Sequence, residues 1–196
     1  TPNPLMPSAK PVSTAPQNET TEAIAKYVPN EMTRAIMLGI VQQESNYGKY
    51  SHNLEGSSAR GAFQMMPDTF LGIISQPDSA LHQLLDYAKD EKGNVDPKKL
   101  EQLSLNTDYN VVAARELLAD NLEKWPELNM LAAIASHHYG VGGLLSLYRK
   151  YKIDFSESPL KLVASMKKEG KLTKTQKEFV DWLPKVIGNI RKHLRG

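Results

Sequence analysis

Residues 30–48 read NEMTRAIMLGIVQQESNYG, and their spacing decides the fold class. Met32, Ile36, Met37, Ile40 and Val41 recur at helical intervals behind Asn30, whose short polar side chain suits an N-cap, and Gly48 supplies a stop. Glu44 lies four residues after Ile40 and three after Val41, so the spacing predicts that it shares their buried face. A carboxylate there is costly if ionised and unpaired. A carboxyl group kept protonated near neutral pH can donate a proton to a glycosidic oxygen.

Outward from this helix the pattern stays helical. Residues 49–62 are polar, hold two glycines (Gly56 and Gly61) and read as a loop. Pro67 suits the first turn of a short helix carrying Phe70, Leu71, Ile73 and Ile74. Further helices are predicted over 79–89, from Asp96-Pro97, over 107–123 and over 127–138, the last built from the small residues around Ala132, Ala133 and Ala135. Gly140, Gly142 and Gly143 break it, and Leu144–Tyr151 resumes. Two more helices are predicted over 158–168 and 174–194, with Pro184 bending the second. No run alternates with period two over the length of a strand, so the class is all-α. There is no internal repeat.

Residues 1–20 contain Pro2, Pro4, Pro7, Pro11 and Pro16 among small polar residues. Such a composition builds no core and reads as a disordered linker or tail. The expected organisation is this tail, a helical domain over 21–152, and a basic helical extension over 153–196 packed on it. The chain has 196 residues and a formal net charge of +2. Residues 1–152 carry 14 Lys/Arg and 17 Asp/Glu, whereas residues 153–196 carry 10 and 5, a local net of +5. That basic segment suits contact with an anionic wall polymer, or is simply a solvated helical face. With no cysteine, disulfides, thiolate catalysis and zinc–thiolate sites are excluded. No stretch reaches the ~18 apolar residues of a membrane span. No nucleic-acid motif is present, and Phe179 and Trp182 read as the packing face of the last helix. The His137–His138 pair is poorly disposed for a metal, because adjacent helical side chains point apart by roughly 100°.

Chemistry concentrates in three places. Glu44-Ser45 precedes the polar loop. Gly61-Ala62-Phe63-Gln64-Met65-Met66-Pro67 follows it, with Gly61 permitting close backbone approach and Gln64 able to donate and accept hydrogen bonds, as sugar amides and hydroxyls require. Met65 and Met66 read as core filler, with a sugar subsite as the other reading. Ser136-His137-His138-Tyr139-Gly140-Val141-Gly142 then ends the small-residue helix with polar and aromatic groups.

This order resembles the soluble lytic transglycosylase domain, related to goose-type lysozymes, over about residues 30–150. It runs from Glu-Ser through Gly-Ala-x-Gln-x-Met-Pro and Asn110 opening an alanine-rich helix to a polar-aromatic Gly-x-Gly turn. The resemblance implies a lysozyme-like, two-lobed helical fold with a glycan cleft. It implies that Glu44 is the catalytic acid/base on peptidoglycan glycan strands, that Ser45, Gln64, Met65, His137, His138 and Tyr139 serve the substrate site, and that no cofactor or metal is needed. It also implies a periplasmic, extracellular or virion-associated setting, with a phage virion or secretion machine as one context. Where the family reads Tyr-Asn-Ala before Gly-x-Gly, this chain reads His137-His138-Tyr139, and Ser58 replaces a family glycine. Alignment favours His137 as the partner of Glu44; chemistry favours Tyr139, since a phenol stays a neutral donor. Two alternatives stand beside this reading. A hydrolytic muramidase would need a second carboxylate, for which Glu55 is the candidate. A glycan-binding module would hold the strand without cutting it.

Overall fold

The computed structural model describes residues 15–50, 58–126 and 129–195, and every regular element in them is an α-helix. Residues 1–14, 51–57 (with Glu55), 127–128 and 196 lie outside the described residues. The helices are α1 (Glu19–Tyr27), α2 (Glu31–Ser45), α3 (Pro67–Ile74), α4 (Leu84–Tyr87), α5 (Pro97–Leu105), α6 (Thr107–Lys124), α7 (Met130–Tyr139), α8 (Val141–Lys150), α9 (Pro159–Glu169) and α10 (Lys174–Arg195). The all-α class holds. Two isolated bridges, Arg60 with Met65 and Lys89 with Val95, are the β-type pairings among these residues.

Local chemistry sets most helix starts. Asn18, Asn30, Asp96, Asn106 and Asn129 each accept a hydrogen bond from a backbone N–H of the following first turn, satisfying donors that a helix leaves open. Pro67, Pro97 and Pro159 occupy first-turn positions, where a missing N–H costs nothing. α2 ends at Asn46, which is left-handed at φ 49°, with Tyr47 following at φ 59°; the stop therefore comes two residues before Gly48.

Three expectations are corrected. The helix predicted over 79–89 shrinks to the single turn α4. Glu116 of α6 takes the Ser79 hydroxyl and the Ala80 N–H, at 2.6 and 2.8 Å, and so holds this segment in turns. The break at 140–143 is narrower than expected: only Gly140 leaves helical geometry, at φ 79°, and α8 runs straight through Gly142 and Gly143. The folded part begins before Thr20. The Asn18 side chain caps α1 and donates to the Tyr47 carbonyl at 3.0 Å, and Thr21 Oγ1 donates to the Pro16 carbonyl at 2.7 Å.

The core runs along α6 and α7, where Val111, Ala113, Ala132, Ala133 and Ala135 are wholly buried. Small side chains let the two helices approach closely. α10 lies along α2. A Cβ on Gly39 would stand 2.9 Å from the Ile190 N and 3.2 Å from its Cα, so only glycine admits this close helix approach. Phe179, Trp182, Leu183, Val186, Ile187 and Ile190 of α10 are buried. Residues 153–196 are thus integral to the core that carries Glu44.

Candidate active site

Glu44 sits in the last turn of α2, and its side chain is 14% exposed. Two elements meet it, and a third ties their neighbours together. From α10, Trp182 Nε1–H donates to Glu44 Oε1 at 2.6 Å. From the end of α7, His138 Nδ1 lies 3.9 Å from the same oxygen. The imidazole of His138 stacks on the Trp182 indole, with centroids 4.9 Å apart and planes at 25°. The His137 ring is nearly parallel to the same indole, 9° from its plane with centroids 6.4 Å apart.

The third element is the turn at 61–66. Gly61 adopts φ +79°, and a Cβ there would stand 2.6 Å from Asn110 Cγ and 2.8 Å from the Ser104 carbonyl oxygen. Asn110, fully buried in α6, is the clamp for this turn. Its Oδ1 accepts from Phe63 N–H at 2.8 Å, and its Nδ2 donates to the Ser104 and Arg60 carbonyls at 2.9 and 3.3 Å. The turn in turn anchors the other two pieces. Ser45 Oγ donates to the Ala62 carbonyl at 2.5 Å and accepts from Gly48 N–H at 2.8 Å. His137 Nε2 donates to the Phe63 carbonyl at 3.1 Å, which leaves its Nδ1 as the unprotonated nitrogen of the neutral ring. Burial holds the His137 imidazole below its ordinary pKa, and the charge of Glu44 opposes this in part.

The site residues read from the sequence therefore fall into different places. Glu44, His137 and His138 come together. Ser45 is buried; its hydroxyl joins α2 to the turn through the Ala62 carbonyl, and its contacts with Val41 and Gly48 close the end of the helix. Gln64, at φ 48°, directs its Nε2–H to the Gly61 carbonyl at 2.9 Å and the Tyr50 carbonyl at 3.3 Å. Met65 is 3% exposed and exchanges both backbone hydrogen bonds with Arg60, so it is core and cannot line a sugar subsite; Met66, 46% exposed, is the methionine that faces outward. Tyr139 packs on Phe179 at 5.1 Å and against the face of Gly143. Of the two histidines it is His138, and not the His137 that alignment favours, that lies within 4 Å of the carboxylate.

Trp182 is the neighbour of Glu44 that the sequence did not reveal. Its apolar spacing with Phe179, Leu183 and Val186 signals only a packing face, and its N–H donor finds its acceptor 138 positions away. A donor-only indole that must be buried needs such a partner, which is the one signal the sequence carried.

Two surface depressions share no lining residue with this cluster. One of about 200 Å³ is lined by Ile73, Ser79, Glu116 and Asp120 among others, and one of about 410 Å³ by Tyr87, Lys99, Asn106 and Tyr109 among others. No group of three His, Asp or Glu side chains among the described residues is placed to hold a metal. No helix among them is long and apolar enough to cross a membrane. Comparison with protein-family models, with curated proteins and with solved structures returned no match.

Proposed function

We propose that this chain is a peptidoglycan lytic transglycosylase that cleaves the MurNAc–GlcNAc β-1,4 bond with Glu44 as its single acid/base. The observation that carries the reading is the setting of Glu44. A mostly buried carboxyl group stands at the end of an apolar helix, held by an indole N–H with one imidazole 3.9 Å away and a second near-parallel to the indole, beside elements that carry the Glu-Ser, Gly-Ala-x-Gln-x-Met-Pro and Gly-x-Gly motifs. Metal-free glycoside cleavage needs a proton donor at the leaving oxygen and a base for the nucleophile.

In this mechanism Glu44 gives its proton to the glycosidic oxygen as the bond to C1 of the muramic residue breaks. The carboxylate then takes the proton of the C6 hydroxyl while O6 bonds to C1, closing the 1,6-anhydro ring. Glu44 ends protonated, as it began, and no water is consumed. The Gly61–Met66 turn contributes the wall on which a glycan strand lies, with Met66 as its exposed apolar face. Such a protein acts at the cell wall, and the lysines of 153–196 suit an anionic wall polymer.

Turbidity clearance of purified peptidoglycan tests the assignment. Glu44→Gln abolishes clearance with the melting temperature preserved. A variant keeping more than about a tenth of wild-type turnover contradicts it, since a general acid/base contributes at least ~100-fold. A wild type that binds glycan strands without clearing them would make the chain a binding module instead.

A further inference from the structure

We infer that Trp182 of α10 is a positioning residue for Glu44, biasing the catalytic proton to one carboxyl oxygen; the inference rests on the acid/base reading of Glu44. The indole N–H is a donor and never an acceptor. Its bond to Oε1, at 2.6 Å, is therefore made in both charge states of the carboxyl group, and because a carbonyl oxygen accepts better than a hydroxyl oxygen it biases the acid proton to Oε2. That oxygen delivers it to the leaving glycosidic oxygen and later receives the proton of the C6 hydroxyl.

The ring is held for this task. Trp182 is 5% exposed. It is stacked on His138 at 4.9 Å and lies near-parallel to His137, while His137 is itself tied to the Phe63 carbonyl. Its backbone is carried on α10, which the Gly39–Ile190 approach seats against α2. Carboxyl group and donor thus sit on two helices locked side by side. The N–H···O bond becomes charge-assisted once Glu44 has lost its proton. It therefore favours the ionised carboxylate that forms as the leaving group is protonated, a gain realised along the reaction and not in substrate binding. The same logic makes the basic C-terminal segment part of the catalytic unit.

Two measurements test this. The chain has two tryptophans, and Trp125 Nε1–H donates to Ser136 Oγ at 2.8 Å, so it serves as an internal control. In ¹H–¹⁵N spectra the Trp182 indole proton, assigned by its loss in Trp182→Phe, is expected downfield of that of Trp125. It should move upfield in Glu44→Gln while the Trp125 resonance stays. A Trp182 resonance that ignores Glu44→Gln overturns the inference and needs no activity to do so. In kinetics, Trp182→Phe keeps an aromatic ring against His138 and removes the donor. It is expected to lower kcat about tenfold or more, the worth of a hydrogen bond to a charged group, with KM changed less than about twofold. An unchanged kcat in a folded Trp182→Phe protein refutes the positioning role. A wild type that cuts nothing strikes the transglycosylase reading alone; the indole comparison then decides the Trp182–Glu44 coupling by itself.

Discussion

Gly61→Ala tests the clamp that joins the parts of the site. At φ +79° an alanine is strained whatever space surrounds it, at about 1–2 kcal/mol. The new Cβ would stand 2.6 Å from Asn110 Cγ and 2.8 Å from the Ser104 carbonyl oxygen. One of these is backbone, so Asn110 has to give way. Its movement breaks the bond from Phe63 N–H, at 2.8 Å, and that to Ser104, at 2.9 Å. A buried donor or acceptor left unpaired costs about 1–3 kcal/mol. With one group unpaired for each of the two bonds the sum is about 3–8 kcal/mol, and for a chain of this size about 2–4 °C is lost per kcal/mol. Thermal melts followed by helical circular dichroism should show a fall of about 10 °C or more. Gly170→Ala is the control: its φ is +77°, with nothing within 4 Å of the added carbon. It carries the strain alone and should lose only a few degrees. The difference between the two variants isolates the clamp. If Gly61→Ala melts within about 2 °C of Gly170→Ala, Asn110 does not hold the turn as argued here.

Three further outcomes are expected. Asn18→Ala removes both the cap of α1 and the bond to Tyr47; chemical denaturation should show a loss of about 1–2 kcal/mol, and no loss would mean the segment before Glu19 does not hold α1. Gly39→Val forces α10 away from α2, so it should cost about 1–3 kcal/mol by overpacking and lower turnover along with stability; a variant as active and stable as wild type would show that the two helices need no close approach. The folded-state pKa of His137 is depressed by burial, so its contribution to stability is complete above the unfolded value of about 6.5 and is lost as pH falls through the folded value. Melting temperature should therefore decline from pH 7 toward pH 5, and His137→Gln should flatten that decline. Equal slopes in the two proteins would show that His137 charges freely in the folded state.

What could be read from the sequence follows the range of the interactions. α2, α6 and α10 announce themselves because their apolar positions recur every three to four residues, and the asparagine and proline starts are local chemistry. The 79–89 segment carries a helical pattern too, yet Glu116 captures its first donors from a helix more than thirty positions away. Met65 and Met66 are indistinguishable as letters. The pairing of Met65 with Arg60 turns one inward and leaves the other at the surface. Glu44 stood out because the Glu-Ser and Gly-Ala-x-Gln-x-Met-Pro motifs surround it; its place on an apolar helical face alone would also suit a solvent-facing helix end. The partners of Glu44 did not stand out. Register along α7 brings His138 to the carboxylate while His137 is drawn to the Phe63 carbonyl, and Trp182 reaches Glu44 only once α10 has docked on α2.

The most direct test is mass spectrometry of the soluble fragments released from purified peptidoglycan by the wild-type chain, with Glu44→Gln run in parallel. The mechanism predicts muropeptides ending in 1,6-anhydromuramic acid, one water lighter than hydrolytic products, and none from Glu44→Gln. Fragments with free reducing ends, lost in Glu55→Gln, would contradict it in favour of a two-carboxylate hydrolase, and the absence of any fragment from the wild type would remove the glycan-cleaving assignment.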